Sequence, residues 1–395
     1  MAARLACPYC YETFTAREIG FRCSTRLSRN GRQCTPERDP VLAERMGKRG
    51  ELGPVFSTGD GRHPRAACPR CGDESTYRIC PVCHSTLPVQ FGKLEHKLIA
   101  MVGAKASGKT VYMTVLLHEL MNRVGARLGA SLMASDDATM QRFDSEYQET
   151  LYRKGQLPSG TRRAGAGDNR VDPLVFRFGL GRGRFYGSRP RHSVLSFFDT
   201  AGENFNSRES IELNTRYLAH ADGIILILDP LQMPGARALV RPGTVLPGSD
   251  GVDAPGNALN RVTNMLLAQR KGGGTGLITT PIAVVFAKLD ALWDTLDAGS
   301  PLRAHPPAGD RFDTGDSLDV HEEVRRLLKE WEGVPIDQNL EHNYRRYRYF
   351  GVSALGNSPT ADTRVAPTGI QPYRVTDPLL WLLSEFGSVP RRGRG

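Results

Sequence analysis

The sequence predicts an α/β fold, a mostly parallel sheet between two layers of helices, with small cysteine-rich modules ahead of it. Three observations predict it. The stretch Gly103-Ala104-Lys105-Ala106-Ser107-Gly108-Lys109-Thr110 follows a short apolar run and opens a segment of helical period. Further apolar runs of strand length alternate with amphipathic stretches along the rest of the chain. All eight cysteines lie before residue 84, most of them in Cys-x-x-Cys pairs.

Taken in order, residues 1–90 read as a zinc-ribbon region. Each Cys-x-x-Cys turn presents two thiolates, and two such turns close a tetrahedral Zn²⁺ site. Cys68 and Cys71 with Cys80 and Cys83 are expected to form one site. Cys7 and Cys10 are expected to form a second with Cys23 and Cys34, and an interleaved pairing of Cys7 and Cys10 with a downstream knuckle stays open. Disulfides do not suit the cytoplasmic location expected below, and no βαβ context supports a redox pair. Four thiolates per ion leave no open position, so the zinc is structural. Between the knuckles, residues 38–66 are polar and rich in Gly and Pro, and read as a linker or extended loop.

Residues 94–388 read as one nucleotide-binding domain. Lys97 to Val102 is a strand and Val111 to Arg123 a helix, with Val111, Val115, Leu116, Leu120 and Met121 at helical spacing. Strand, glycine-rich turn and helix is the setting of a phosphate-binding loop, which makes the fold a P-loop NTPase three-layer sandwich. Glycines let successive N–H groups converge, and the helix N-terminus adds partial positive charge. Gly103, Ala106, Ser107, Gly108, Lys109, Thr110 and Val111 are the candidate phosphate contacts. Lys109 would reach the β- and γ-phosphates, and the Thr110 hydroxyl would bind Mg²⁺.

A second helix is expected over Asp136 to Arg153, then strands over Leu174 to Leu180 and Ser193 to Phe198. The latter runs into Asp199-Thr200-Ala201-Gly202-Glu203. An acid at the tip of an apolar strand is where a phosphate-loop enzyme holds Mg²⁺, and Gly202 can bring an amide to the γ-phosphate. A helix over Ser210 to His220 precedes the strand within Asp222 to Pro230, then a Pro/Gly-rich insertion over 231–255. A helix over Asn257 to Arg270 leads to the strand Pro281 to Phe286, which ends in Ala287-Lys288-Leu289-Asp290. A carboxylate here can accept from the guanine N1–H and exocyclic amine; adenine lacks that donor pair. A second insertion spans 297–317, followed by a helix over Asp319 to Glu332. Arg348 to Val352 leads into Ser353-Ala354-Leu355, Pro378 to Phe386 forms a last helix, and residues 389–395 are a basic tail.

With 395 residues, 39% hydrophobic and 24% charged, the composition is that of a globular protein. Gly 42 and Pro 26 forecast long loops. No apolar run approaches the about 20 residues of a membrane span, and the N-terminus lacks a signal-peptide core, so the cytoplasm is the expected compartment. The net charge of +10 admits nucleic-acid binding, but the arginines are scattered, so nucleic acid is not the expected partner.

With GAKASGKT, DTAGE, AKLD and SAL each at the end of an apolar strand, the chain from about 94 to 388 resembles a small-GTPase-like domain of the Ras-like P-loop class. Its insertions and cysteine ribbons also resemble bacterial double-GTPase proteins, which are encoded in conflict or stress-response gene clusters. The resemblance implies GTP/GDP and Mg²⁺ as cofactors. It makes Lys109 and Thr110 the phosphate and Mg²⁺ ligands, Asp199 the carboxylate in the second sphere of Mg²⁺ and Gly202 the γ-phosphate sensor. Lys288 and Asp290 become the guanine readers, and Ser353 and Ala354 close over the base. A switch threonine should complete the Mg²⁺ sphere: Thr161, with Ser159 and Thr150 as alternatives. The chain departs from the pattern twice. Ala287 stands where small GTPases have Asn or Thr, so the usual brace to the phosphate loop is lost. Glu203 stands where Gln orients the attacking water, and a carboxylate there either acts as a base or slows hydrolysis. Arg162, Arg163 and Arg208 are placed near the switches as arginine-finger candidates.

Three functions are consistent with these residues. The first is a GTP-hydrolysing switch whose zinc ribbons dock a protein partner. The second is an ATP-consuming enzyme, against which Asp290 and DTAGE argue. The third is a zinc-ribbon module for nucleic acid or protein whose nucleotide domain has lost catalysis.

Overall fold

The computed structural model describes residues 4–393 apart from 89–90, 93–94, 105, 126–128, 159–172, 181–190, 198–214, 241–243, 245, 247–253, 270–275, 308 and 361. Its centre is a seven-stranded sheet. The strands are β1 (Glu95–Gly103), β2 (Ala130–Ala134), β3 (Leu174–Leu180), β4 (Arg191–Phe197), β5 (Gly223–Leu228), β6 (Ile282–Phe286) and β7 (Tyr347–Gly351). They lie in the order β2-β3-β4-β1-β5-β6-β7. Only β3 runs against the others, pairing antiparallel with both β2 and β4.

Six of these strands fall where apolar runs predict them; the edge strand β2 does not. Its sequence, Ala-Ser-Leu-Met-Ala, buries only Leu132, so it carries too little apolar character to stand out.

Side-chain alternation sends successive residues to opposite faces. One face carries Leu98, Ala100, Val102, Ile224, Leu226 and Val284. It is covered by α3 (Pro255–Ala268), α4 (Thr314–Glu330) and α5 (Val334–Asn343), through residues such as Leu259, Val324 and Leu340. The other carries Ile99, Met101, Ile225 and Val285, under α1 (Lys109–Glu119), the helical segment that α2 (Asp137–Arg142) leads into, through Phe143, Tyr147 and Leu151, and α6 (Asp377–Glu385). α2 continues as a wider π-helical segment, Phe143–Arg153, so the expected second helix is present throughout. α5 has no counterpart among the expected elements: it is short, has a proline in its first turn and follows α4 after only Trp331, Glu332 and Gly333.

β1 changes partner halfway. It pairs with β4 up to Leu98 and with β5 from Ile99. Past the end of the β4 ladder, the Tyr217 hydroxyl donates to the Ile99 carbonyl at 2.8 Å and accepts from the Met101 amide at 3.0 Å. A side chain thus supplies the rung that backbone would otherwise provide.

The cysteine-rich segment packs on this sheet. Cys7, Cys10, Cys80 and Cys83 share an apolar cluster with Val175 of β3 and Val194 of β4. Tyr11 is fully buried, with its ring centroid 4.9 Å from that of Tyr217. Glu12 pairs with Arg216 at 2.7 Å.

The expected linker over 38–66 is folded. Asp39 caps the helix Pro40–Met46 by accepting from the Leu42 amide, and Gly47 closes it in the left-handed conformation. Glu51–Leu52 and Val55–Phe56 are short strands, the second pairing with Gly20–Arg22. Within the two expected insertions, Pro234–Leu239 is helical and Phe312–Asp313 pairs in parallel with Arg391–Arg392 of the basic tail.

Candidate functional site

The phosphate-binding loop lies between β1 and α1. A Cβ on Gly103 would stand 2.6 Å from Ser107 Oγ and 2.8 Å from the Ile227 carbonyl, so the loop starts where no side chain fits. Ala106 and Gly108 are left-handed, at φ 59° and 85°, which folds the loop back over itself. Lys109 is the first residue of α1 and only 6% exposed. Ser107 Oγ is buried and has no hydrogen-bond partner among the described residues. A close-approaching glycine, a helix N-terminus, a buried lysine and an orphaned hydroxyl are what a phosphate chain requires.

β6 delivers Lys288 and Asp290 to the same end of the sheet. Lys288, left-handed at φ 56°, donates from Nζ to the Ala106 carbonyl at 2.9 Å. The same Nζ donates to Asp229 Oδ2 at 2.6 Å. Asp290 accepts from the Ser353 hydroxyl at 2.5 Å and from the Ser358 hydroxyl at 3.3 Å. The Ser353 hydroxyl in turn accepts from the Gly356 amide at 2.8 Å, so the loop after β7 wraps onto the carboxylate. Both carboxylate oxygens keep lone pairs for further donors. Ala354 packs half-buried against the adjoining core. Ala287 is buried in that core as well.

The structure therefore brings Gly103, Ala106, Ser107, Gly108, Lys109, Lys288, Asp290 and Ser353 to one end of the sheet; Thr110 and Val111 follow half-buried in the first turn of α1. Thr161, Asp199, Gly202 and Glu203 lie outside the described residues, as do Ser159, Arg162, Arg163 and Arg208. Thr150 sits in the helical segment after α2, where its hydroxyl donates to the Glu146 carbonyl at 3.4 Å. One residue of the site has no part in the sequence reading: Asp229, fully buried at the end of β5. Its signal is an acid closing the most apolar strand of the chain.

The cysteines form two tetrads, Cys7-Cys10-Cys80-Cys83 and Cys23-Cys34-Cys68-Cys71. This corrects the expected grouping of Cys68 and Cys71 with Cys80 and Cys83, and realises the alternative in which Cys7 and Cys10 take a downstream knuckle. Spacing identifies a knuckle but not its partner. The pairing of Gly20–Arg22 with Tyr77–Ile79 sets the partners, since it draws the Cys80 knuckle back to the start of the chain. The two sets are nested, the second lying inside the first along the chain.

Sulfur pairs stand at 3.8 Å for Cys7 and Cys83, 3.9 Å for Cys10 and Cys80, 3.7 Å for Cys23 and Cys71, and 3.8 Å for Cys34 and Cys68. A disulfide needs about 2.05 Å. A tetrahedron with metal–sulfur arms of about 2.3 Å has edges of about 3.8 Å, so both sets match a Cys₄ site. Amides of Tyr9 and Val82 donate to Cys7 and Cys80 at 3.4 and 3.3 Å, and such bonds hold thiolates in place. Burial pushes the Cys7 thiol up, Cys23 to about 11 and Cys34 to about 12. The Asp73 amide beside Cys71 holds that thiol low. A dication binding all four as thiolates removes this conflict.

No helix among the described residues is long and apolar enough to cross a membrane. The double-GTPase 2 family model matches residues 97–332. A putative ESX-1 scaffolding and assembly protein, SaeC of Mycolicibacterium smegmatis, is 31% identical over 401 residues, which are 93% of this chain and 98% of that one. Among solved structures, the GTPase-like domain of S. cerevisiae Ski7 has 14% identity and a TM-score of 0.34, over 74% of this chain and 50% of that one. The signal recognition particle receptor complex of Chaetomium thermophilum has 14% identity and a TM-score of 0.29, over 67% and 94%. The family model spans more than half of the chain, and the SaeC match runs nearly end to end. On these two matches, the chain belongs to the double-GTPase 2 family.

Proposed function

We propose that the chain binds GTP with Mg²⁺, hydrolyses it and works as a molecular switch, its two cysteine tetrads holding structural Zn²⁺. The observation that carries this is the convergence at the end of the sheet. Lys288 reaches the phosphate-loop carbonyl of Ala106 while Asp290, two residues on, is held by Ser353. One short segment would thereby reach from phosphate to base. Lys109 would meet the β- and γ-phosphates, and Asp290 the guanine edge, with Ser353 and Ala354 closing over the ring. Thr110 and Asp199 would hold Mg²⁺, and Thr161 would complete its sphere. The ion, when bound, neutralises charge developing on the phosphoryl oxygens. The Gly202 amide would report the γ-phosphate, and Glu203 would orient or deprotonate water, with slow turnover until an activator arrives.

Residues 1–90 are the part we assign to partner docking. The scaffolding and assembly role in SaeC's name supports a protein partner. The test is competition of unlabelled GTP and ATP against a fluorescent guanine nucleotide, with Mg²⁺, on wild type and Lys109→Ala. GTP winning by a wide margin, with the signal lost in Lys109→Ala, supports the reading. Equal competition by ATP removes Asp290 as a guanine reader and overturns it.

A further inference from the structure

Asp229 is a carboxylate with no exposed surface, placed between the two loops that would hold a nucleotide. Oδ1 accepts from the Leu231 amide at 2.9 Å and Oδ2 takes the Lys288 ammonium at 2.6 Å. A charge buried this deeply persists only where a cation and a donor satisfy it. The lysine is shared. Its remaining contact is the Ala106 carbonyl at the crest of the phosphate loop, where the backbone is already left-handed. Three chain segments therefore meet at one ammonium: the end of β5, the end of β6 and the phosphate loop. Position 287, next to this lysine, has only a methyl group, and that methyl belongs to the core.

We propose that Asp229 is a positioning residue for nucleotide binding. It holds Lys288 on the phosphate loop and so supplies, through an ion pair, the tie between base-reading and phosphate-binding loops that Ala287 has no side chain to make. A lysine without this anchor is a flexible stem of four methylenes that samples many rotamers. Anchored, it presents its stem as a fixed wall beside Asp290 and keeps the loop spacing constant while the nucleotide resides. The effect falls on residence time more than on capture, because the preorganised frame is what dissociation must break. The proposal rests on the guanine-nucleotide reading above.

The experiment measures dissociation of a fluorescent guanosine diphosphate from the full chain in stopped flow, for wild type, Asp229→Asn, Lys288→Met and the double variant. Asp229→Asn keeps the acceptor for the Leu231 amide and nearly the same volume, while removing the charge. The expected result is dissociation roughly tenfold faster in Asp229→Asn, and no further change when the substitution is added to Lys288→Met. That non-additivity is a readout that a merely structural carboxylate would not give. The double variant buries no unpaired charge, so the comparison stands even where Asp229→Asn alone lowers the thermal midpoint. Wild-type dissociation rates in Asp229→Asn, or effects that add in the double variant, overturn the positioning role. Failure of wild type to bind the guanosine probe overturns the nucleotide reading instead, and the two failures are distinct.

Discussion

Ser196, on β4, donates its hydroxyl to the backbone carbonyl of Pro8 at 2.9 Å. The bond ties the first cysteine knuckle to the strand that runs toward Asp199. Val175 and Val194 pack beneath the same knuckle, and Tyr11 beside it meets Tyr217, which bonds the backbone of β1 at Ile99 and Met101. The cysteine-rich segment thus grips the hairpin that joins the two loops expected to sense the γ-phosphate, together with the strand that feeds the phosphate loop.

Replacing Tyr11 by Ala removes a fully buried ring from that contact. The expected cost is about 3 kcal/mol, read as a lower thermal midpoint in calorimetry. Release of the fluorescent guanine nucleotide should also quicken, although the substitution lies outside the site. An unchanged midpoint would show that the knuckle does not brace the sheet.

Metal stoichiometry separates the two pairings of the cysteines. Wild type should carry two Zn²⁺ per chain by elemental analysis, one for each tetrad. Cys71→Ser with Cys80→Ser strikes both tetrads and should remove both ions; Cys23→Ser with Cys71→Ser strikes one and should leave one. Under the pairing read from spacing alone, the first double variant would keep an ion and the second would lose both.

Ser353→Ala deletes the hydroxyl that orients the Asp290 carboxylate. A hydrogen bond to a charged group is worth about 1.5–3 kcal/mol, so guanine-nucleotide affinity should fall by roughly tenfold or more. The ratio of GTP to ATP affinity should fall with it. Loss of both affinities in equal proportion would place the serine in the loop fold and not in base reading.

His321 gives the fold an acid-sensitive point. Its Nδ1 accepts the Tyr349 amide of the edge strand β7 at 3.0 Å, and burial, aided by Arg348 and Arg325, lowers its pKa to about 4. An unfolded histidine titrates near pH 6.5. Between about pH 6.5 and pH 4 the unfolded chain takes up a proton that the folded chain refuses, so stability falls as pH falls through this window and is flat above it. The loss reaches about 3 kcal/mol at its lower end. His321→Gln, which keeps an acceptor without titrating, should flatten this part of the midpoint-against-pH curve.

The parallel core was legible because its strands are apolar runs closed by a residue that changes the chain direction: Gly103 at the end of β1, Asp229 after β5, Lys288 beyond β6. β2 and α5 were not, since each depends on packing against a neighbour more than on its own pattern. In the site, GAKASGKT identified its loop by order alone. The tie from Asp229 to Lys288 was hidden because an acid at a strand end reads the same whether or not a cation lies across from it. The cysteine partners were hidden for a related reason: ligand spacing is local, whereas pairing depends on how Gly20–Arg22 meets Tyr77–Ile79.

The nesting of the tetrads gives their assembly an order. During synthesis the inner set is complete once Cys71 has emerged, while the outer set still waits for Cys80 and Cys83. Filling the inner site brings Cys23 and Cys71 together and shortens the loop that the outer site must close, and shorter loops cost less entropy to close. In order of emergence, therefore, the inner site fills first and the outer one closes on it, while in the finished chain each filled site eases the other. Since the outer knuckles are the ones resting on β3 and β4, zinc scarcity during synthesis would reach the nucleotide domain only through the last ion to bind.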